Sequence, residues 1–109
     1  MASQHKQSHG AWTEREVLFQ MANIGSEVSR ALKWQSKDRE IARHAFERSL
    51  ELFDRTVADK KNAARLKEIL RAREMWVDFF ASDNFYHSTR EQWERYFLAF
   101  AVAANRGKE

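Results

Sequence analysis

The chain contains no cysteine and no proline, and only three glycines among its 109 residues. Without cysteine there is no disulfide framework and no thiolate metal site, and nothing ties the chain to an oxidising compartment. Without proline and nearly without glycine, β-turns lack their usual material, whereas long helices lose nothing. Long apolar runs are missing as well. No stretch supplies the roughly 20 consecutive apolar residues that a membrane-spanning helix needs. The opening "MASQHKQSHGAW" has no apolar core of the kind found in a secretory signal. A cytoplasmic location and no membrane partner are the expectations.

Charge is abundant but balanced. Nineteen Lys and Arg face sixteen Asp and Glu, for a net charge of +3. The balance permits contact with nucleic acid and does not demand it. Apolar residues make up 43% of the chain and aromatic residues 13%. Large rings let a chain this short fill one core, and one domain is expected.

Periodicity then places the elements. Residues 1–12 read as a flexible polar arm and residues 13–107 as a helical bundle. His5 and His9 in the arm are read as part of that polar terminus rather than as metal ligands. Thr13 and Glu16 have capping-box spacing, and Val17, Met21, Ile24, Val28, Ala31 and Leu32 follow at helical intervals to about residue 35. Gly25 lies beside that stripe, where a close helix crossing fits. Ser36 is the expected cap of a second helix carrying Ile41, Ala42, Ala45, Phe46, Ser49, Leu50, Phe53 and Val57. The polar "ADKKN" (58–62) connects to a third, with Asn62 as its cap. The third helix carries Leu66, Ile69, Leu70, Trp76, Val77 and Phe80. A loop over residues 82–88 leads to a second capping box, Ser88 with Glu91. The fourth helix presents Trp93, Tyr96, Phe97, Phe100 and Ala104 and ends at Gly107. The fold class is all-α, an antiparallel up-down four-helix bundle.

Arg73 interrupts the apolar stripe Leu66, Leu70, Val77 and Phe80 of the third helix. An unpaired guanidinium in a core is very costly, so a partner is required. Glu27, flanking the stripe of the first helix, is the expected one, in a bidentate pair that fixes helix register. The alternative is a ligand or phosphate pocket lined by Arg73, Trp76 and Tyr96.

No phosphate loop, dinucleotide fingerprint, zinc motif or nucleophile elbow occurs. His44, Glu40, Glu47, Glu51 and Asp54 are read as a solvated charged face rather than a metal site, and no metal or cofactor is expected. Lys60, Lys61, Arg65, Lys67 and Arg71 cluster around the second connection, either as a phosphate-gripping surface or as surface charge compensated by Glu68 and Glu74. Leu98 and Val102 point away from the core side of the fourth helix, with Ala99 and Ala103 between them, and Phe19 points away from the stripe of the first. A helix apolar on two sides is buried on two sides, so a homo-oligomer is expected through these residues.

The spacing Arg39-x4-His44 resembles the motif of the HEPN family, small helical bundles that include ribonucleases and partners of minimal nucleotidyltransferases. That resemblance implies a ribonuclease in which Arg39 and His44 act on RNA phosphate across a dimer. On a helix the two residues project about 140° apart, and the family's motif usually sits in a late helix rather than at the start of the second. In size, helix count and basic balance the chain is also similar to bacterial four-helix bundles of the ribosomal intervening-sequence type, including accessory proteins of diversity-generating reverse transcriptases. These oligomerise and bind nucleic acid. The leading expectation is a non-catalytic, self-associating binding module that docks on nucleic acid or on a nucleic-acid-processing protein; the alternative is the HEPN-type enzyme.

Overall fold

The computed structural model describes the backbone of residues 2–106 and the side chains of residues 14–106. Four α-helices, α1 (Ala2–Trp34), α2 (Arg39–Ala58), α3 (Leu66–Ala81) and α4 (Arg90–Arg106), form an all-α bundle, with a 3-10 turn, Lys60–Arg65, leading into α3. The side chains of the expected arm (1–12), its two histidines, the expected cap Thr13 and the expected terminus Gly107 lie outside the described residues. Among the described residues there is no strand, and no helix is long and apolar enough to cross a membrane.

The α1 stripe packs as its spacing predicts. Val17, Met21, Ile24, Val28, Ala31 and Leu32 are all buried, as are Ala42, Ala45, Phe46, Ser49 and Phe53 of α2. Trp93, Phe97, Phe100 and Ala104 complete the core from α4. Gly25 marks a close crossing of α1 and α4: a Cβ there would stand 2.7 Å from Cβ of Phe97. No Cα of α3, by contrast, comes within 8 Å of any Cα of α4. Large rings span that gap, with Trp76 and Trp93 edge-to-face at 5.5 Å between centroids.

Three expected caps are displaced. Asp38, not Ser36, caps α2, accepting from the N–H groups of Glu40 and Ile41; a carboxylate also answers the positive end of the helix. Asn62 is not a cap of α3. It is buried, and its amide donates to Gln20 Oε1 at 2.8 Å and to the Thr56 carbonyl at 2.9 Å. Asp59 caps the 3-10 turn instead, through the Lys61 N–H. That bond, followed by one from Gln20, holds the Asp59 carboxyl below its ordinary pKa. The reciprocal box before α4 is Thr89 with Gln92, one residue later than expected.

The α3 register is the largest correction. Ile69, Ala72 and Trp76 are its buried residues, while Leu66 and Leu70 are exposed. Arg73 therefore sits at the edge of the bundle, where it meets Asp54 of α2 rather than Glu27. The pair is bidentate, Nε to Oδ1 at 2.8 Å and Nη2 to Oδ2 at 3.4 Å. With Arg73 32% and Asp54 63% exposed, water screens this pair, and it stabilises by about 0–1 kcal/mol. Trp76 is fully buried and donates its indole N–H to Ser49 Oγ at 2.9 Å, which in turn donates to the Phe46 carbonyl.

Candidate functional site

The wide spacing of α3 and α4 leaves a cleft of about 440 Å³ at their open side. Ala72 and Met75 of α3 form one wall, and Trp93 and Tyr96 of α4 the other. The loop between the helices closes one end with Tyr86, His87 and Ser88.

That loop is held by side chains rather than by regular structure. Asp78, near the end of α3, accepts the backbone N–H of Phe85 at 2.8 Å and of Tyr86 at 3.1 Å, one on each carboxylate oxygen. Asn84 takes a left-handed conformation, φ 52°, which asparagine tolerates better than most residues. Its side-chain amide clamps both the N–H and the carbonyl of Ser88. The clamp explains why Ser88 is not the helix cap: its backbone is committed to Asn84, so capping passes to Thr89. Tyr86 donates its hydroxyl to Glu74 at 3.1 Å, and this bond raises the phenol above its ordinary pKa. Tyr96 donates to Glu68 at 3.2 Å. Burial first, then the Glu68 charge, lifts the Tyr96 phenol well above its usual range.

Two residues of the lining each carry a buried polar atom with no hydrogen-bond partner among the described residues, the indole Nε1 of Trp93 and the hydroxyl of Ser88. The residues are only 6% and 7% exposed. An unmet group of this kind costs about 1–3 kcal/mol. Arg71, exposed at the rim, makes no ion pair among the described residues. Of the cleft residues, sequence reasoning picked out Arg71 and Tyr96, each for a different role. It passed over Ser88 and Trp93 because one looked like a cap and the other like plain core. Aromatic residues set among turn formers in "SDNFYHS" were the available signal.

The remaining candidates fall at separate places. Arg73, Trp76 and Tyr96 do not share a pocket. Arg73 is at the edge, Trp76 is sealed in the core, and Tyr96 is in the cleft. Glu27 lines a small depression with Arg30, His44 and Arg48. Arg39 is not in that depression, and both Arg39 and His44 are exposed on α2. No group of three metal-ligating side chains gathers among the described residues. Glu40 pairs with Arg43 and Glu51 with Arg48.

Two members of the basic cluster are neutralised. Lys61 pairs with Glu16 at 2.9 Å, and Arg65 with Glu14 at 2.6 Å and Glu68 at 3.6 Å. The hydrogen bond that Lys61 donates to Glu16 raises the Lys61 pKa. Lys60 and Lys67 stay exposed without an ion pair among the described residues. On α4, Leu98 is 61% and Val102 43% exposed. With Ala99 and Ala103 they floor a shallow depression of about 390 Å³, bounded by Arg95 and Arg106. Phe19 is partly buried and does not belong to it. No known protein family, curated protein or solved structure matches the chain.

Proposed function

We propose that this chain is a non-catalytic helical-bundle binding module that pairs with a second copy through the outer face of α4. The observation that carries the reading is the exposed apolar seam Leu98–Ala99–Val102–Ala103, spaced like the contact positions of a coiled coil. The charges suit a twofold antiparallel pairing of α4 with itself. Centring it near Phe100 sets Leu98 of one copy against Val102 of the other, and Glu94, which pairs with Arg90 in the single chain, against Arg106. Static light scattering at micromolar concentration should give a dimeric mass for the full chain and a monomeric mass for Leu98→Glu or Val102→Glu. A monomeric mass for the unaltered chain would sink the reading.

A second surface serves nucleic acid or a nucleic-acid-processing protein, and the free charges of Lys60 and Lys67 favour it. Lys61 and Arg65 already neutralise carboxylates, so they release fewer counterions on meeting phosphate. Lys60→Gln with Lys67→Gln should lower the salt slope of single-stranded RNA binding by about 0.7 for each phosphate that is no longer neutralised. Fluorescence anisotropy across a salt series measures it, and an unchanged slope rejects this surface.

A further inference from the structure

We infer that the cleft between α3 and α4 is a binding site for a small aromatic carboxylate. Its volume, about 440 Å³, lies in the range of small-molecule sites, which combine apolar walls with a few placed polar groups. The walls here are flat and apolar, from Met75, Tyr86, Trp93 and Tyr96, and suit a planar ring.

The polar groups fix the rest of the ligand. An indole N–H can only donate, and that of Trp93 has no acceptor among the described residues. The Ser88 hydroxyl has no partner either. Arg71, on the lining, carries a positive charge with no ion pair among the described residues. The Trp93 indole and the Arg71 guanidinium can only donate, the Ser88 hydroxyl can donate or accept, and Arg71 asks for negative charge. The carboxylates nearby are already engaged, Glu68 by the hydroxyl of Tyr96 and by Arg65, and Glu74 by the hydroxyl of Tyr86. Glu68 is itself on the lining, and neither carboxylate forms an ion pair with Arg71 among the described residues. A ring bearing a carboxylate meets all of these demands together.

The test uses the indole N–H signals of the full-length, ¹⁵N-labelled protein. Naphthalene-2-carboxylate is titrated to millimolar concentration, with naphthalene-2-methanol as the uncharged probe. The Trp93 indole signal should move downfield and saturate. The Trp76 indole, already bonded to Ser49, should stay in place. The alcohol should bind about 10-fold more weakly, the usual worth of a charge-assisted hydrogen bond. Arg71→Gln, a change at an exposed position, should abolish that preference while the protein stays folded. Three results each overturn the site: no saturable shift at Trp93, equal shifts at every indole, or equal affinity for the two probes. The site does not depend on self-association, so a monomeric Leu98→Glu chain should bind naphthalene-2-carboxylate as the unaltered chain does.

Discussion

Trp76 and Trp93 sit edge-to-face at the centre of the bundle, and their surroundings differ sharply. Trp76 lies on the closed side, against Phe46 and Ser49 of α2. Its N–H is bonded to Ser49, and two turns further along α2 Thr56 donates to the Leu52 carbonyl at 2.8 Å. Asn62 is likewise satisfied by Gln20 and Thr56. Trp93 lies on the open side, between helices whose Cα atoms never approach within 8 Å, and its N–H has no partner among the described residues, nor has the hydroxyl of Ser88. Two rings of the same kind in one cluster thus serve different ends. A polar group paired inside the fold fixes one packing arrangement. A polar group left unpaired costs stability and calls for a compensating role, which the proposed ligand would supply.

The contrast is broken most directly at Trp76. Trp76→Ala should cost about 3–5 kcal/mol, since a fully enclosed ring leaves a cavity its neighbours cannot fill. Urea denaturation reads this as a lowered midpoint; a loss below that of an exposed substitution would show that the closed side is not the core. Milder changes sharpen the comparison. Trp76→Phe and Trp93→Phe remove the same volume, but only the first breaks a hydrogen bond, while the second removes an unmet donor. Trp76→Phe should therefore be the more damaging by about 1–2 kcal/mol, and equal losses would mean that the Trp93 indole is already satisfied.

The smallest effect is in pH dependence. The Tyr96 phenol titrates well above its ordinary 10.0 in the folded chain. A group with a raised folded pKa contributes its stability below the unfolded pKa and loses it as pH rises through and beyond that value. Stability should fall as pH climbs past about 10. Tyr96→Phe should flatten that fall, leaving a residual slope from Tyr86 and Lys61, whose pKa values are also raised. Identical slopes for the two proteins would remove Tyr96 from the account.

Three of the helices were legible because each carries one stripe of large apolar residues that outweighs any other face. On α1 every stripe residue from Val17 to Leu32 is buried, and Gly25 beside them makes the close approach its position suggested. The face of α4 from Trp93 to Ala104 was equally plain. Its opposite side, Leu98 and Val102, is exposed as its spacing required. On α3 the apolar residues run nearly all round, so two phases of the same period compete. The longer run of Leu66, Leu70 and Val77 suggested one phase, and Arg73 had to be explained as a buried charge. The other phase packs Ile69, Ala72 and Trp76 inward and returns Arg73 to the edge, beside Asp54.

By itself, then, the sequence determined that the chain is helical, where α2, α3 and α4 run to within a few residues, and which faces of α1, α2 and α4 turn inward. Local composition and the 3.6-residue period act within one helix, and neither needs a neighbour to operate. Tertiary structure alone decided the phase of α3, the partner of Arg73, the displaced caps, and the cleft with its two unpaired polar groups. Those depend on which side chain from one helix reaches a space left by another. The indole of Trp76 finds Ser49, 27 residues away in the chain, and that of Trp93 finds none among the described residues. No pattern along a single segment carries that information, because the distance between α3 and α4 is set by the rings that hold them apart.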